Sequence, residues 1–439
     1  MKRFFSILSL FTALAVAPQA SQLSTLAASM QVGTWAELTT TGMADTLFWM
    51  TGGGGSDAIF NYSDDLTWNP VSQEAYYIGG SHYGPGRFVA YSAAANSWRE
   101  VDRPAWLAAN FGHGYDHNAI DQTRQWFYHN PMNTRNTIHV WEIANKRWRS
   151  DVAMPTTTCA WTDLACCRGI AFYPWFDRGG VVYANGKMAQ VYFFGTTSGK
   201  WWTLGSNVNM ATYHNIAKTN PVQKVVYLGG GNGENTLNVL DSTGTIRPIA
   251  AAPVSIGIYS SCNAVDPASG DLLVLTGGGF YSYHLATDRW TTHSMSVPVW
   301  SHGGANVTYT VAGDITDLGV TMWCKWASSG KVWLYKHAVM QGGIETTSNS
   351  NGKSALSVFP NPFNPRINLS FAPSASEGSR TEIFNANGGL VAVIPCAAGQ
   401  GTAEWDGRDS HGQPCPMGVY SIRLSIGHRS FIRQAYLIR

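Results

Sequence analysis

Along most of this chain apolar residues fall in short clusters, each closed by a polar turn. One unit returns with an aromatic opening its second half: "FVAYSAAANSWREV" (Trp98), "IHVWEIANKRWRSDV" (Trp148), "VYFFGTTSGKWWTLG" (Trp201, Trp202) and "FYSYHLATDRWTTHS" (Trp290). A degenerate copy, "LNVLDSTGTIRPIA", has Ile246 and Arg247 in the Trp place. Each reads as a short alternating strand, a polar turn and a second strand. Upstream of these lies another strand pair, in "LTWNPVSQEAYYIGG", "NAIDQTRQWFYHN", "KTNPVQKVVYLGGG" and "NAVDPASGDLLVLTGGG". The unit is therefore four strands long. Its landmarks Trp98, Trp148, Trp201, Arg247 and Trp290 are 43 to 53 residues apart, the period of propeller blades.

The glycines carry a resemblance. Gly79-Gly80, Gly229-Gly230-Gly231 and Gly277-Gly278-Gly279 each end an apolar strand, where backbone must approach closely or turn with positive φ. In these features the stretch 31–340 resembles the kelch family of β-propellers, which implies an all-β fold and says little about function. Five complete units run from about residue 58 to 300. A sixth, "SHGGANVTYTVAGDITDLGVTMWCKWASSGKVWLYKH", supplies three strands, and "GTWAEL" at 33–38 matches the missing fourth. The expectation is a six-bladed propeller closed by an N-terminal strand that hides the free edges. The "TGGGGSD" stretch, 51–57, is expected to be a flexible loop leading into the first blade.

Composition narrows the setting. Lys and Arg number 29 against 27 Asp and Glu, so no net field points to nucleic acid or an acidic membrane surface. Only 13% of the 439 residues are charged, while Gly (46), Trp (18) and Tyr (19) are abundant. That balance favours an extracellular β protein. "MKRFFSILSLFTALAVAPQASQ" has Lys2 and Arg3, an apolar run from Phe4 to Ala17, then small residues. This is a secretory signal peptide pattern over 1–20, with cleavage expected near Ala20 and a second possible site near Ala28. No segment is long and apolar enough to span a bilayer. Of seven cysteines, Cys396 could pair with Cys415, and Cys159 with Cys166 or Cys167. The odd count leaves at least one thiol over.

Residues 341–355, "QGGIETTSNSNGKSA", read as a linker. Beyond it "FPNPFNP", "EIFNANGGLV", "WDGRDSHG" and "GVYSIRL" follow in order over 356–439, short strands between Pro, Asn-Gly and Asp-Gly turns. They spell a small Ig-like β-sandwich. The set resembles the C-terminal sorting domain of type IX secretion substrates, whose Ig-like fold is shared with flagellar hook-capping proteins. The resemblance implies the type IX secretion machinery as a partner, and release outside the cell or attachment to its outer surface. Asp406 and Asp409 are assigned to turns.

Chemistry is concentrated where first strands begin. "GHGYDHNAID" holds His113, Tyr115, Asp116 and His117, and its tail "HNAID" aligns with "CNAVD" at Cys262 and with "HNIAK" at His214. "RGIAF" puts Arg168 in the same ring, with Asp65 and His302 as further entries. Tyr115, Tyr213 and Tyr259 lie close by in sequence. The expectation is a polar pocket at the mouth of the central channel, with His117, Arg168, His214, Tyr259, His302 and Trp300 as ligand-binding residues and a monomer as the working form.

Three functions fit. The first is binding of extracellular glycans, by rings that stack on sugar faces; Trp106, Trp161, Trp175 and Trp300 are further candidates. The second is a copper-radical oxidase, because Tyr213-His214 and Cys262 resemble the Tyr-His pair and cross-linked Cys of the galactose oxidase group. That resemblance implies copper, but the next blade, "WSHGG", lacks the tyrosine the cross-link needs. The third is a polysaccharide lyase, with Arg168 neutralising a uronate and His117 or a Tyr as base. Whether the site catalyses is left open. Walker, HExxH, GxSxG and EF-hand motifs are absent from the sequence.

Overall fold

The computed structural model describes residues 20–52, 55–80, 84–108, 112–132, 138–149, 168–339, 356–361, 363–371, 379–385, 389–397, 399–426 and 429–438. The signal-peptide pattern, the linker, Trp161 and the Cys159, Cys166 and Cys167 group lie outside these residues, apart from Ala20.

Strands dominate. Six four-stranded antiparallel sheets follow one another along the chain. Sheet I is Thr67–Asn69, Glu74–Gly80, Gly86–Ser92 and Ser97–Asp102; sheet II is Asn118–Asp121, Trp126–His129, His139–Glu142 and Arg147–Trp148. Sheet III is Gly169–Tyr173, Gly180–Asn185, Gln190–Gly195 and Trp201–Ser206. Sheet IV is Ile216–Asn220, Val225–Gly229, Leu237–Asp241 and Ile246–Pro248; sheet V is Ser261–Val265, Leu272–Thr276, Phe280–His284 and Arg289–His293. Sheet VI takes Thr310–Ile315, Val320–Trp326 and Gly330–Lys336, and its fourth strand is Thr34–Glu37, with Trp35 opposite Tyr335 and Glu37 opposite Trp333.

The first strands neighbour one another in the order I to VI, and that of VI lies against that of I. Single parallel bridges join Ser63 to Tyr115, Asp65 to Ala312 and Asp116 to Gly169. Inner strands are buried on both faces, as in Gly180–Asn185, whereas the outer Arg289–His293 is mostly exposed or half-buried. Sheets packed face to face give continuous apolar runs inside and turn-rich polar edges outside. The closest approaches leave no room for a Cβ: one built on Gly169 would lie 2.3 Å from the Ile216 carbonyl carbon.

Two features depart from expectation. Trp49–Gly52 pairs antiparallel with Gly55–Ala58, where a flexible loop over 51–57 was expected. Its glycine-rich sequence hides the strand period. A helix, Gln22–Ser29, precedes the closing strand and buries Leu23 and Ala27 in the core that also holds Phe48, Trp98 and Trp326. Cleavage near Ala28 would cut this packed helix. Packing thus begins before residue 31.

The C-terminal region has two sheets: Leu356–Phe359, Ile367–Phe371 and Thr402–Trp405 in one, Leu390–Cys396, Ser379–Asn385, Gly418–Ile426 and Arg429–Leu437 in the other. Strand Ile367–Phe371 alternates buried and exposed residues, with the buried set in a core around Trp405. No disulfide joins Cys396 to Cys415; both are buried among apolar neighbours, as Cys262 and Cys324 are in the larger region. Asp409 accepts the backbone N–H of His411 and Gln413, at 2.9 and 2.8 Å, and so serves its turn.

Candidate functional site: the inner ends of the first strands

A shared turn fixes the register between sheets. Asn69, Asp121, Asn220 and Asp266 each accept a backbone N–H two or three residues on, from Val71, Thr123, Gln223 and Ser269, at 2.8 to 3.1 Å. Counting back four residues aligns Asp65, His117, Ile216 and Cys262; counting back five aligns Asp64, Asp116, Asn215 and Ser261. His117 and Cys262 are therefore equivalent, but His214 lies two residues earlier than its "HNIAK" alignment implies.

Equivalent aspartates do equivalent work. Asp64 accepts the N–H of Asn263 at 2.6 Å and its side-chain amide at 2.9 Å, tying sheet I to sheet V. Asp116 accepts the N–H of Ala217 at 2.5 Å, tying II to IV. Between them Lys218 Nζ lies 3.2 Å from Asp64 and 2.6 Å from Asp116, and it also donates to Asp65. All four side chains are almost fully enclosed. Burial, then the neighbouring Asp116 charge, holds the Asp65 carboxyl well above the usual range. Burial also raises Asp116, while the three carboxylates overcome burial to raise Lys218.

Residues preceding this ion cluster along the strands gather in one aromatic group. Tyr62 stacks on Tyr259 at 5.4 Å and lies 4.9 Å from His113 and 6.1 Å from His214. Tyr115 is 5.7 Å from His113, 6.0 Å from His214 and 5.3 Å from His117. Tyr62, Tyr115, His214 and Tyr259 all have positive φ, at 48°, 47°, 64° and 87°. For bulky residues that conformation costs about 1–3 kcal/mol each and collects at functional sites. His214 Nδ1 is 2.6 Å from the Asn232 amide oxygen, which favours the tautomer with N–H there and leaves Nε2 as an acceptor. Burial keeps this imidazole neutral by lowering its pKa. Tyr259 is 59% exposed and Tyr213 is 37% exposed.

Residues following the ion cluster line a cavity of about 230 Å³, with Thr67, Gln122, Thr219 and Asp314 among its walls. Burial pushes the Asp314 carboxyl up to about 7.

The expected residues separate. Tyr259 and His214 join the aromatic group, with Tyr115, Tyr62 and His113. His117 and Arg168 are fully buried beside it, so neither offers a surface to a polymer, as a lyase base and neutraliser must. Cys262 is buried with Ala264, Leu273, Leu275 and Phe280, and burial raises its thiol well above the ordinary value. Among the described residues nothing links Cys262 to Tyr213 or His214, and no group of three or more His, Cys, Asp and Glu is placed to hold a metal. The donor set does not fit a copper–tyrosyl centre. Trp300 donates to the Thr276 carbonyl at 2.9 Å and His302 lies 2.6 Å from the Ser329 carbonyl, away from the aromatic group. Trp106 stacks on His139 at 3.8 Å as packing. The residues missed from sequence are Asp64, Lys218 and Tyr62, together with the ion-pairing role of Asp116.

Residues 364–428 match the FlgD Ig-like domain family. No curated protein matches the chain in sequence. Among solved structures the chain is similar to PorZ, a surface component of the type-IX secretion system of Porphyromonas gingivalis, at 13% identity and TM-score 0.39, covering 88% of this chain and 62% of that one. It is also similar to the extracellular domain of BT4673 from Bacteroides thetaiotaomicron, at 13% and 0.41, covering 91% and 51%. An auxiliary nutrient binding protein from Bacteroides ovatus aligns at 10% and 0.45, covering 68% and 76%. The chain thus spans less than two thirds of the first two. No helix among the described residues is long and apolar enough to cross a membrane.

Proposed function

We propose that the six sheets are blades of a closed kelch-type propeller, exported by its signal peptide and C-terminal domain, which binds extracellular glycans at one end of its ring. The export reading rests on the "FPNPFNP" to "GVYSIRL" motifs and the FlgD-like match. The glycan reading rests on one observation: four bulky rings, from the lead-ins to sheets I, II, IV and V, held together on strained backbone with Tyr259 facing solvent. Stacked tyrosines offer an apolar face to a pyranose, and Tyr hydroxyls with His214 Nε2 offer hydrogen bonds at its edge.

Titration calorimetry after screening on a glycan array tests this. Tyr259→Ala should weaken binding by about tenfold or more, the equivalent of roughly 1.4 kcal/mol, with its melting temperature unchanged. Undiminished binding by the variant, or an array with no hits for the wild type, defeats the reading.

A further inference from the structure

Towards the far ends of the first strands, away from the aromatic group, lies the cavity of about 230 Å³, which stacking on Tyr259 does not use. At roughly 30 Å³ per water it has room for about seven waters or one small organic molecule. Its floor is Asp65 and Lys218 of the ion cluster. Its rim is Thr123, Pro174 and Pro221, which follow the ends of three first strands and are exposed. Entry from solvent is over this rim. Between floor and rim the wall is mostly apolar, with Ile120, Ile170, Phe172, Ala264 and Val265 in it.

Asp314 is the exception on that wall. The Asp65–Ala312 bridge sets it level with Thr67, two residues further along both strands, and both residues line the cavity. Among the described residues no side chain donates to its carboxyl or forms an ion pair with it. Its own backbone N–H and the Lys218 charge favour the ionised form, and the Asp266 carboxylate opposes it. Lys218 is already shared among Asp64, Asp65 and Asp116, so the charge on Asp314 is left without a cation of its own. Burial is the largest influence and raises this carboxyl to about 7. An acid poised near neutrality in an apolar recess, within reach of solvent, is a group that a ligand of opposite charge completes.

We propose that this cavity binds a small organic molecule carrying a primary ammonium group, which bonds to the Asp314 carboxylate while its apolar body lies against Ile120, Phe172 and Val265. Ammonium N–H donors make charge-assisted bonds to a carboxylate, and the apolar wall favours a hydrocarbon body. A calcium ion needs about six to eight oxygen ligands, which one free carboxylate on such a wall does not supply. The ammonium meets only the ionised acid, so binding tightens as pH rises through about 7. Lys218 keeps its proton over that range, because the three carboxylates raise its pKa. Asp65 and Asp266, both raised by burial, act in the same direction, since each negative charge gained attracts the cation.

Isothermal titration calorimetry of the whole protein at fixed ionic strength tests this. The probes are cyclohexylammonium, cyclohexanol as the uncharged ring of the same shape, and calcium chloride. The expected result is saturable binding of the amine, at least tenfold tighter than the alcohol at pH 8 and at least fivefold tighter at pH 8 than at pH 6. The amine stays charged at both values, as its pKa is about 10. Asp314→Asn should weaken the amine at least tenfold and leave the alcohol unchanged. Thr123→Trp, at the exposed rim, should weaken both. No binding of the amine, equal binding of amine and alcohol, a preference for calcium, or amine binding unchanged in either variant overturns the proposal. Tyr259→Ala should leave amine binding as it is, so this site and the glycan reading stand or fall separately.

Discussion

Lys218 is one ammonium among three carboxylates, and that imbalance decides how the centre responds to change. Removing the cation leaves Asp64, Asp65 and Asp116 enclosed without it. Breaking a buried pair from one side costs roughly 3–5 kcal/mol, so Lys218→Met should lower unfolding free energy by about that much in urea titrations. The pH behaviour has a definite sign. The folded pKa of Asp65 is raised, so its contribution is present below the ordinary carboxylate value and lost as pH rises through the folded value. Asp65→Asn has no proton to lose there, and its stability deficit against wild type should shrink between pH 5 and pH 9. The imidazoles run the other way. Burial lowers His117 and His129, so their contribution is present above about 6.5 and lost as pH falls through the depressed folded values. Melting temperatures should drop progressively below pH 6.5, and less steeply in His117→Gln. Little of this was legible from one sequence. Asp116 and Lys218 are 102 residues apart, and nothing around the adjacent acids Asp64 and Asp65 in the sequence shows that a lysine from another sheet meets them.

At the scale of strands the sequence is more explicit. Alternation and turn chemistry place the outer hairpins, because Asn and Asp caps and Trp-led strands act within a dozen residues. Trp35 illustrates a longer reach: its match to Trp98 pointed to a strand of sheet VI, and it packs 4.7 Å from Tyr335 and 5.3 Å from Phe280. The ring is half-buried, so Trp35→Ala should cost about 2–3 kcal/mol, below the roughly 3–5 of a fully buried aromatic. Denaturant titration followed by tryptophan fluorescence measures it, and a loss under 1 kcal/mol would show that this strand contributes little. The pairing of Trp49–Gly52 with Gly55–Ala58 and the position of His214 were misread for one reason. Glycine carries no side-chain alternation, and "HNIAK" matches "HNAID" in letters while its turn, capped by Asn220, sets a register two residues different.

For the whole molecule, the pairing of Thr34–Glu37 with Gly330–Lys336 joins the beginning and end of the larger region. The ion pair of Lys331 with Glu37 spans 294 positions along the chain. No nascent intermediate can complete sheet VI until nearly all of that polypeptide has been made. Until then Thr34–Glu37 lacks the strand it pairs with, and an unpaired strand edge is open to other chains. Such long-range closure is slow relative to local hairpin formation. The same pairing that completes sheet VI in the finished protein therefore acts as a clock during its synthesis, leaving that sheet one strand short until the last of its strands has been made.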